Sequence, residues 1–457
     1  MITLTILLLI AAAAYWLARQ RAHASAGGNP ATLHSRPGHY AWYAALLSAG
    51  PALALWALWR IFEPFALGWA VEASLPAQVL AQSPEMLDFF MSAVRRLAAG
   101  LPPTGEVTPE LAEAAAYYGD LAGYARIALL VGSVAVALVM LRLGLSRVGR
   151  EFRARNRVER WITAALWLAA AVSIMTTAGI VFSVLFESIR FFERVPITEF
   201  LFGLHWSPQT AIRADQVGQS GSFGAVPLFA GTLLITAIAM LVAGPIGMFS
   251  AIYLSQYASH RTRGIAKPVL EVLAGVPTVV FGFFAALVVA PFIRNAGASL
   301  GLDVASESAL AAGVVMGIMI IPFVSSLSDD ALTSVPGALR DAALGLGSTR
   351  AETILQVVVP AALPGIIAGF LLAVSRAIGE TMIVVMAAGL TANLTGNPLE
   401  SVTTVTVQIV TLLIGDQEFD SAKTLSAFAL GLVLFLSTLL LNIVALYVMK
   451  TFREKYD

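Results

Sequence analysis

The chain has 457 residues, 58% of them hydrophobic and only 12% charged, and its net charge is zero. Soluble domains carry about 25% charged residues, so much of this chain faces lipid or other apolar helices, and no electrostatic footprint for nucleic acid exists. It has no cysteine and no Gly-Lys pair, which excludes disulfides, thiolate metal sites and a phosphate-cradling P-loop.

A helix needs about 20 apolar residues to cross a hydrocarbon core about 30 Å thick. The first such stretch, 2–18, has no positive charge before it and Arg19 and Arg21 after it. That is the reverse of a secretory signal, so it reads as an anchor with its N-terminus outside. The second stretch is 41–62. The segment 63–120 then carries eight acids against Arg95 and Arg96, and belongs outside. Its apolar piece Met86–Leu97 is expected to form a short helix. The third stretch is 123–144. The loop 142–160 follows with Arg142, Arg147, Arg150, Arg153, Arg155, Arg157 and Arg160 against Glu151 and Glu159, a strong cytoplasmic mark.

Six further stretches lie at 161–189, 226–256, 268–293, 309–327, 363–390 and 424–449, while the apolar run 402–414 is too short to span. Arg261, Arg263 and Lys267 mark the loop 259–267 as cytoplasmic, and Lys450, Arg453 and Lys455 mark the tail. Nine alternating crossings fit these marks. Glu271 opens the 268–293 span, where a carboxylate suits the positive helix end. Arg213, in the outer loop 190–222, reads as a solvated loop charge. The five histidines are scattered without an H-x-x-x-H pair, which argues against a metal site. The expected fold is therefore an all-α polytopic membrane protein with about nine transmembrane helices. It divides into an N-terminal extension, 1–150, with three spans and the acidic outer segment, and a six-span core, 151–457.

The loop 329–360 lies inside the cell by this topology. It reads as two short helices around a glycine turn. The first has Pro336 in its first turn, where the missing N–H costs nothing, and ends at Gly345 and Gly347. The second starts on the capping box Thr349-Arg350-Ala351-Glu352 and is expected to stop at Pro360. Within it stand Asp341-Ala342-Ala343, then Gly347, then Val357-Val358-Val359-Pro360. This spacing resembles the cytoplasmic motif of ABC importer permeases: E-A-A, three residues, G, nine residues, I-x-L-P. Asp replaces Glu, and Val replaces Ile and Leu. The resemblance implies that Asp341, Ala342, Ala343, Gly347 and Pro360 belong to a helix pair that docks on an ATPase subunit. An ordinary capped loop between spans is the plainer reading.

The following span contains Arg376 and Glu380, spaced i, i+4 and so expected on one helix face. Opposite charges within a membrane helix need a partner or a wet cavity, and guanidinium suits phosphate oxygens. The residues alone leave open a structural ion pair or a place on a transport pathway. The run Arg376-Ala377-Ile378-Gly379-Glu380-Thr381-Met382 is similar to the signature of PstC-type permeases of phosphate ABC transporters. So are Trp206-Ser207-Pro208 with Phe223-Gly224, and Glu271 through Pro277. The resemblance covers about 161–457.

It implies an inner-membrane permease that moves inorganic phosphate, with Arg376, Glu380 and Thr381 on the pathway. It also implies three kinds of partner: a PstA-type permease, a PstB-type ATPase dimer holding ATP and Mg, and a periplasmic PstS-type binding protein. No cofactor is expected on this chain, and no bond is broken by it. Other readings are a permease for sulfate or molybdate, an ion-coupled secondary transporter and a membrane sensor.

Overall fold

Apolar segments with no water to bond their backbone have one local solution, the α-helix. The computed structural model describes residues 2–27, 29–76, 79, 83–102, 107–208, 221–414 and 421–452; Arg213, Arg453 and Lys455 lie outside them. Among the described residues, nine helices are long and apolar enough to cross a bilayer. They are α1 (Ile2–Ser25), α2 (Pro37–Glu72), α4 (Pro109–Ser146), α5 (Ala154–Phe192), α7 (Val226–Tyr257), α9 (Thr278–Ser299), α10 (Ala309–Thr333), α12 (Arg350–Ile378) and α15 (Ala422–Phe452). Shorter helices are α3 (Pro84–Ala98), α6 (Ile197–Phe202), α8 (His260–Ala274), α11 (Gly337–Gly345), α13 (Met382–Ala387) and α14 (Val405–Leu413). A two-residue ribbon pairs Trp206 with Phe223.

Contacts group the chain into residues 1–175 and 176–457, with α5 running through the division. In the first unit, Ala14, Ala18 and Ala22 of α1 stack at one-turn intervals against Tyr40, Tyr43 and Ala44 of α2. Small side chains let such helices approach closely, which is how membrane helices gain packing without a hydrophobic drive. The Arg-rich loop is tied to the α1–α2 turn. Arg150 Nε donates to Ser25 O at 2.8 Å, His34 N donates to Arg150 O at 3.0 Å, and Arg147 Nη1 donates to Tyr43 Oη at 3.3 Å. Both loops therefore lie at one end of this unit, as the charge pattern demands.

Helices α2 and α4 hold 36 and 38 residues, about 54 and 57 Å at 1.5 Å per residue. They outrun the hydrocarbon core and project beyond it. Helix α3 packs on the projecting ends through Met91 and Val94 against Val71, Leu75, Leu111 and Ala115. The acidic segment thus carries a small core of its own.

In the second unit, α10 lies against α7 at backbone-contact distance. A Cβ on Gly313 would come within 2.6 Å of Ile238 Cγ2, and one on Gly317 within 2.8 Å of Val242 Cβ. Around this pair collect Ile235, Val315, Met316, Ile320 and Val324.

Three sequence expectations change. The stretch 268–293 is not one span: α8 ends at Ala274 and α9 begins at Thr278. Pro277 has no N–H and pushes Val276 out of the helical region. Glu271 therefore sits in the last turn of α8, not at a helix start.

The second helix of the 329–360 loop does not stop at Pro360. A wide π turn, Ile354–Val358, carries α12 on past the proline, and a similar turn at Ala285–Val289 precedes Pro291 in α9. The wider turn relieves the clash between a proline ring and the preceding turn's carbonyl.

The stretch 363–390 likewise splits, because α12 ends at Ile378 and α13 starts at Met382.

Candidate functional site

The end of α12 decides where the charges of the Arg376–Met382 run point. Gly379 caps α12, and glycine gives the helix little reason to continue. Glu380 then turns its carboxylate onto the start of α13, where Oε1 accepts from Met382 N at 3.0 Å and Ile383 N at 3.5 Å. Thr406 Oγ1 donates to Glu380 O at 2.8 Å. Thr381 occupies the N-cap position of α13 without a side-chain capping bond. The expected one-face pair of Arg376 and Glu380 does not form: a helix break separates them, and exposed N–H groups of the next helix take the carboxylate.

Arg376 points elsewhere. Its Cζ lies 5.7 Å from the centroid of the Phe323 ring, a cation–π distance. It lines a cavity of ≈ 290 Å³ between α8, α10 and α12 together with Lys267, Glu271, Ser325, Ser326 and Asp329. Asp329 is buried, with 5% of its side chain exposed, and is neutralised by Arg263 Nη2 at 2.8 Å and Lys267 Nζ at 3.0 Å. Among the described residues, neither Arg376 nor Glu271 has an ion-pair partner. Ser325 is buried at 2% exposure, and its hydroxyl meets no described protein acceptor. The cavity thus offers the unpaired guanidinium of Arg376 and two hydroxyls, with Glu271 as its unpaired carboxylate and Lys267 held by Asp329.

Sequence reasoning missed Ser325, Ser326 and Lys267, and read Glu271 as a helix-end charge. Their signal was the polar step Ser325-Ser326 inside an otherwise apolar span. Nothing local tied it to Arg376, 50 residues later.

The hairpin between α10 and α12 has the expected glycine turn and capping box, but its helix bounds differ. Helix α11 follows Pro336 as N-cap rather than as first-turn residue. Gly347 turns the chain with φ +93°, a conformation that side chains with a Cβ rarely adopt. The capping box is formed in full: Thr349 N donates to Glu352 Oε2 at 2.8 Å, and Glu352 N to Thr349 Oγ1 at 3.3 Å. Ala343 is buried, whereas Asp341, Ala342 and Leu344 are exposed and Leu346 is 89% exposed. Pro360 lies within α12, directly after the π turn Ile354–Val358.

Residues 243–454 match the family described as "Binding-protein-dependent transport system inner membrane component". The "Probable ABC transporter permease protein YqgH" of Bacillus subtilis is 32% identical over 309 residues, which cover 67% of this chain and 94% of that protein. The chain belongs to the ABC transporter permease family. As nine apolar helices require, the permease is a multi-pass inner-membrane protein. Its residues 4–176 match a second family, described as "Phosphate ATP-binding cassette transporter", so the extension too has counterparts. The "Phosphate transport system permease protein PstC" of Mesorhizobium japonicum is 28% identical over 273 residues, 55% of the permease and 77% of that protein. The permease is of this PstC type, as its Arg376–Met382 run implied. A solved structure of the MetNI methionine ABC transporter, inward facing, aligns with 50% of the permease and 95% of that chain at a TM-score of 0.38 and 16% identity.

Proposed function

We propose that the permease imports inorganic phosphate and that the anion passes Arg376. The observation that supports this most is the cavity, where Arg376 lacks a carboxylate partner on its own helix and shares its walls with Lys267, Ser325 and Ser326. Guanidinium and hydroxyl donors in a semi-enclosed, low-dielectric space suit phosphate oxygens. Relatives named as phosphate transport permeases support the same substrate. In this reading Glu271 supplies the counter-charge across the empty cavity and keeps phosphate from binding too tightly. Glu380 and Thr381 form the break that ends α12 beside Arg376.

The energy comes from outside the chain. An ATPase dimer of PstB type, holding ATP and Mg, docks on Asp341, Ala342, Ala343 and Gly347. A PstA-type permease completes the membrane pathway, and a PstS-type binding protein delivers phosphate from the periplasm. This chain binds no cofactor and hydrolyses nothing. Residues 1–150 act as an extension to the transport core 151–457.

The test is uptake of radiolabelled phosphate by cells carrying the chain with its partners. Excess unlabelled phosphate blocks uptake and excess sulfate or molybdate does not. Blockage by sulfate or molybdate alone would make the permease an importer of that oxyanion instead.

A further inference from the structure

The first unit contains a second polar cavity that the transport pathway does not use. It measures ≈ 420 Å³ and is lined by Arg60, Glu63, Pro64, Leu67, Tyr118, Ala122 and Arg126. Glu63 is 8% exposed and is held by Arg60 Nη1 at 2.6 Å. Arg126 is different: its Nε donates to Ala122 O at 3.2 Å, and its two terminal nitrogens meet no acceptor among the described residues. The Tyr118 hydroxyl also meets none. The lining is thus richer in donors than in acceptors and carries one positive charge in excess.

The depth of this cavity matters. Arg126 lies 16 residues along α4 from Arg142, which begins the cytoplasmic Arg-rich loop, so it stands about 24 Å above that end. That is near the outer edge of a hydrocarbon core about 30 Å thick. Arg126 is exposed, and at this level its side chain reaches the headgroup region, where anionic groups are available to it. Beside it on the outer faces stand Phe62, Phe65 and Ile127, exposed at 59%, 76% and 62%.

We propose that this cavity binds a phosphate-bearing anion at the outer membrane surface, through Arg126, Tyr118 and the free edge of Arg60. The anion neutralises Arg126 and accepts the unpaired donors. Two sources carry that chemistry: free inorganic phosphate from the periplasm, and the headgroup of an anionic phospholipid whose chains lie along Phe62 and Phe65.

The experiment uses the full chain carrying Arg376→Ala, so that the transport cavity contributes nothing. One arm measures equilibrium binding of radiolabelled inorganic phosphate in nanodiscs of phosphatidylcholine alone. The other counts phosphatidylglycerol retained in native mass spectra after purification from mixed phosphatidylcholine and phosphatidylglycerol. Adding Arg126→Gln should reduce binding in one arm by about tenfold or more, and Arg126→Lys should restore part of it. Loss in the first arm assigns the site to free phosphate, and loss in the second to a lipid headgroup. Tyr118→Phe, which removes one donor and no charge, should weaken the same arm and serves if Arg126→Gln does not fold. Unchanged binding in both arms overturns the proposal. So does an equal loss with Arg95→Gln, which lies on α3 outside the cavity.

Discussion

Arg263 Nη2 donates to both carboxylate oxygens of Asp329, at 3.0 and 2.8 Å, across 66 residues of sequence. Lys267 adds a third contact at 3.0 Å. This cluster joins α8 to the last turns of α10, immediately before the hairpin of α11. It also fixes the hairpin on the same side as the basic start of α8, residues 260–267. Because Glu271 stands on the same α8, one ionic joint connects the hairpin to a wall of the Arg376 cavity.

Breaking that joint should be costly. Asp329→Ala leaves two cations facing each other without their buried acceptor. A loss of about 2 kcal/mol is expected from hydrogen bonds to a charged group. Chemical unfolding in detergent would measure it, and a double-mutant cycle with Arg263→Ala should show strong coupling. In the assembled transporter, the same variant should hydrolyse more ATP per phosphate moved. Additive effects of the two substitutions would remove the joint from this account.

Arg376→Ala should abolish phosphate uptake while leaving the partner subunits bound. Arg376→Lys should keep a minor part, since an ammonium offers charge without the planar fork. Full uptake by the alanine variant would take Arg376 off the pathway.

Replacing both Ser325 and Ser326 with alanine should weaken apparent phosphate affinity by about tenfold, the scale of one or two hydrogen bonds to a charged ligand. Expression and assembly should not change, because neither hydroxyl supports a neighbour within the described residues. Initial uptake rates across phosphate concentration would show it as a raised half-saturation value.

Glu271→Gln removes the cavity's unpaired carboxylate. Phosphate should bind more tightly and leave more slowly, so the half-saturation concentration and the maximal rate should fall together. A lowered rate with unchanged half-saturation would instead assign Glu271 to the mechanics of α8.

Gly347→Val places a branched side chain at φ +93°, which costs about 1–2 kcal/mol in left-handed backbone. Space is not the issue, since a Cβ there meets no atom within 4 Å. The strain should distort the hairpin alone. Co-purification with the ATPase should drop sharply while the membrane helices stay folded, and undiminished co-purification would count against docking through this turn.

Much of the fold was legible in the chain. Span number follows from hydropathy alone, because lipid enforces helix wherever the chain is apolar for long enough. Sidedness follows from arginine and lysine in loops. The Thr349–Glu352 capping box and the Gly347 turn are local devices, and they formed where their residues stand. Helix ends were harder. Pro360 is a local stop signal, yet a π turn ahead of it let α12 continue. Gly379 is a weak signal, yet α12 ended there because Thr406 and the first N–H groups of α13 bind Glu380.

By itself the sequence determined the membrane class, the number of crossings and the hairpin. These rest on periodicity, burial cost and short-range capping, all written within a few residues. Only the tertiary structure decided which charges meet. Spacing suggested Arg376 with Glu380, but folding places Arg376 beside Lys267, Glu271 and Ser325, and sends Glu380 to a helix start. Long-range partners are chosen by which helices pack together, and no local pattern in the chain encodes that choice.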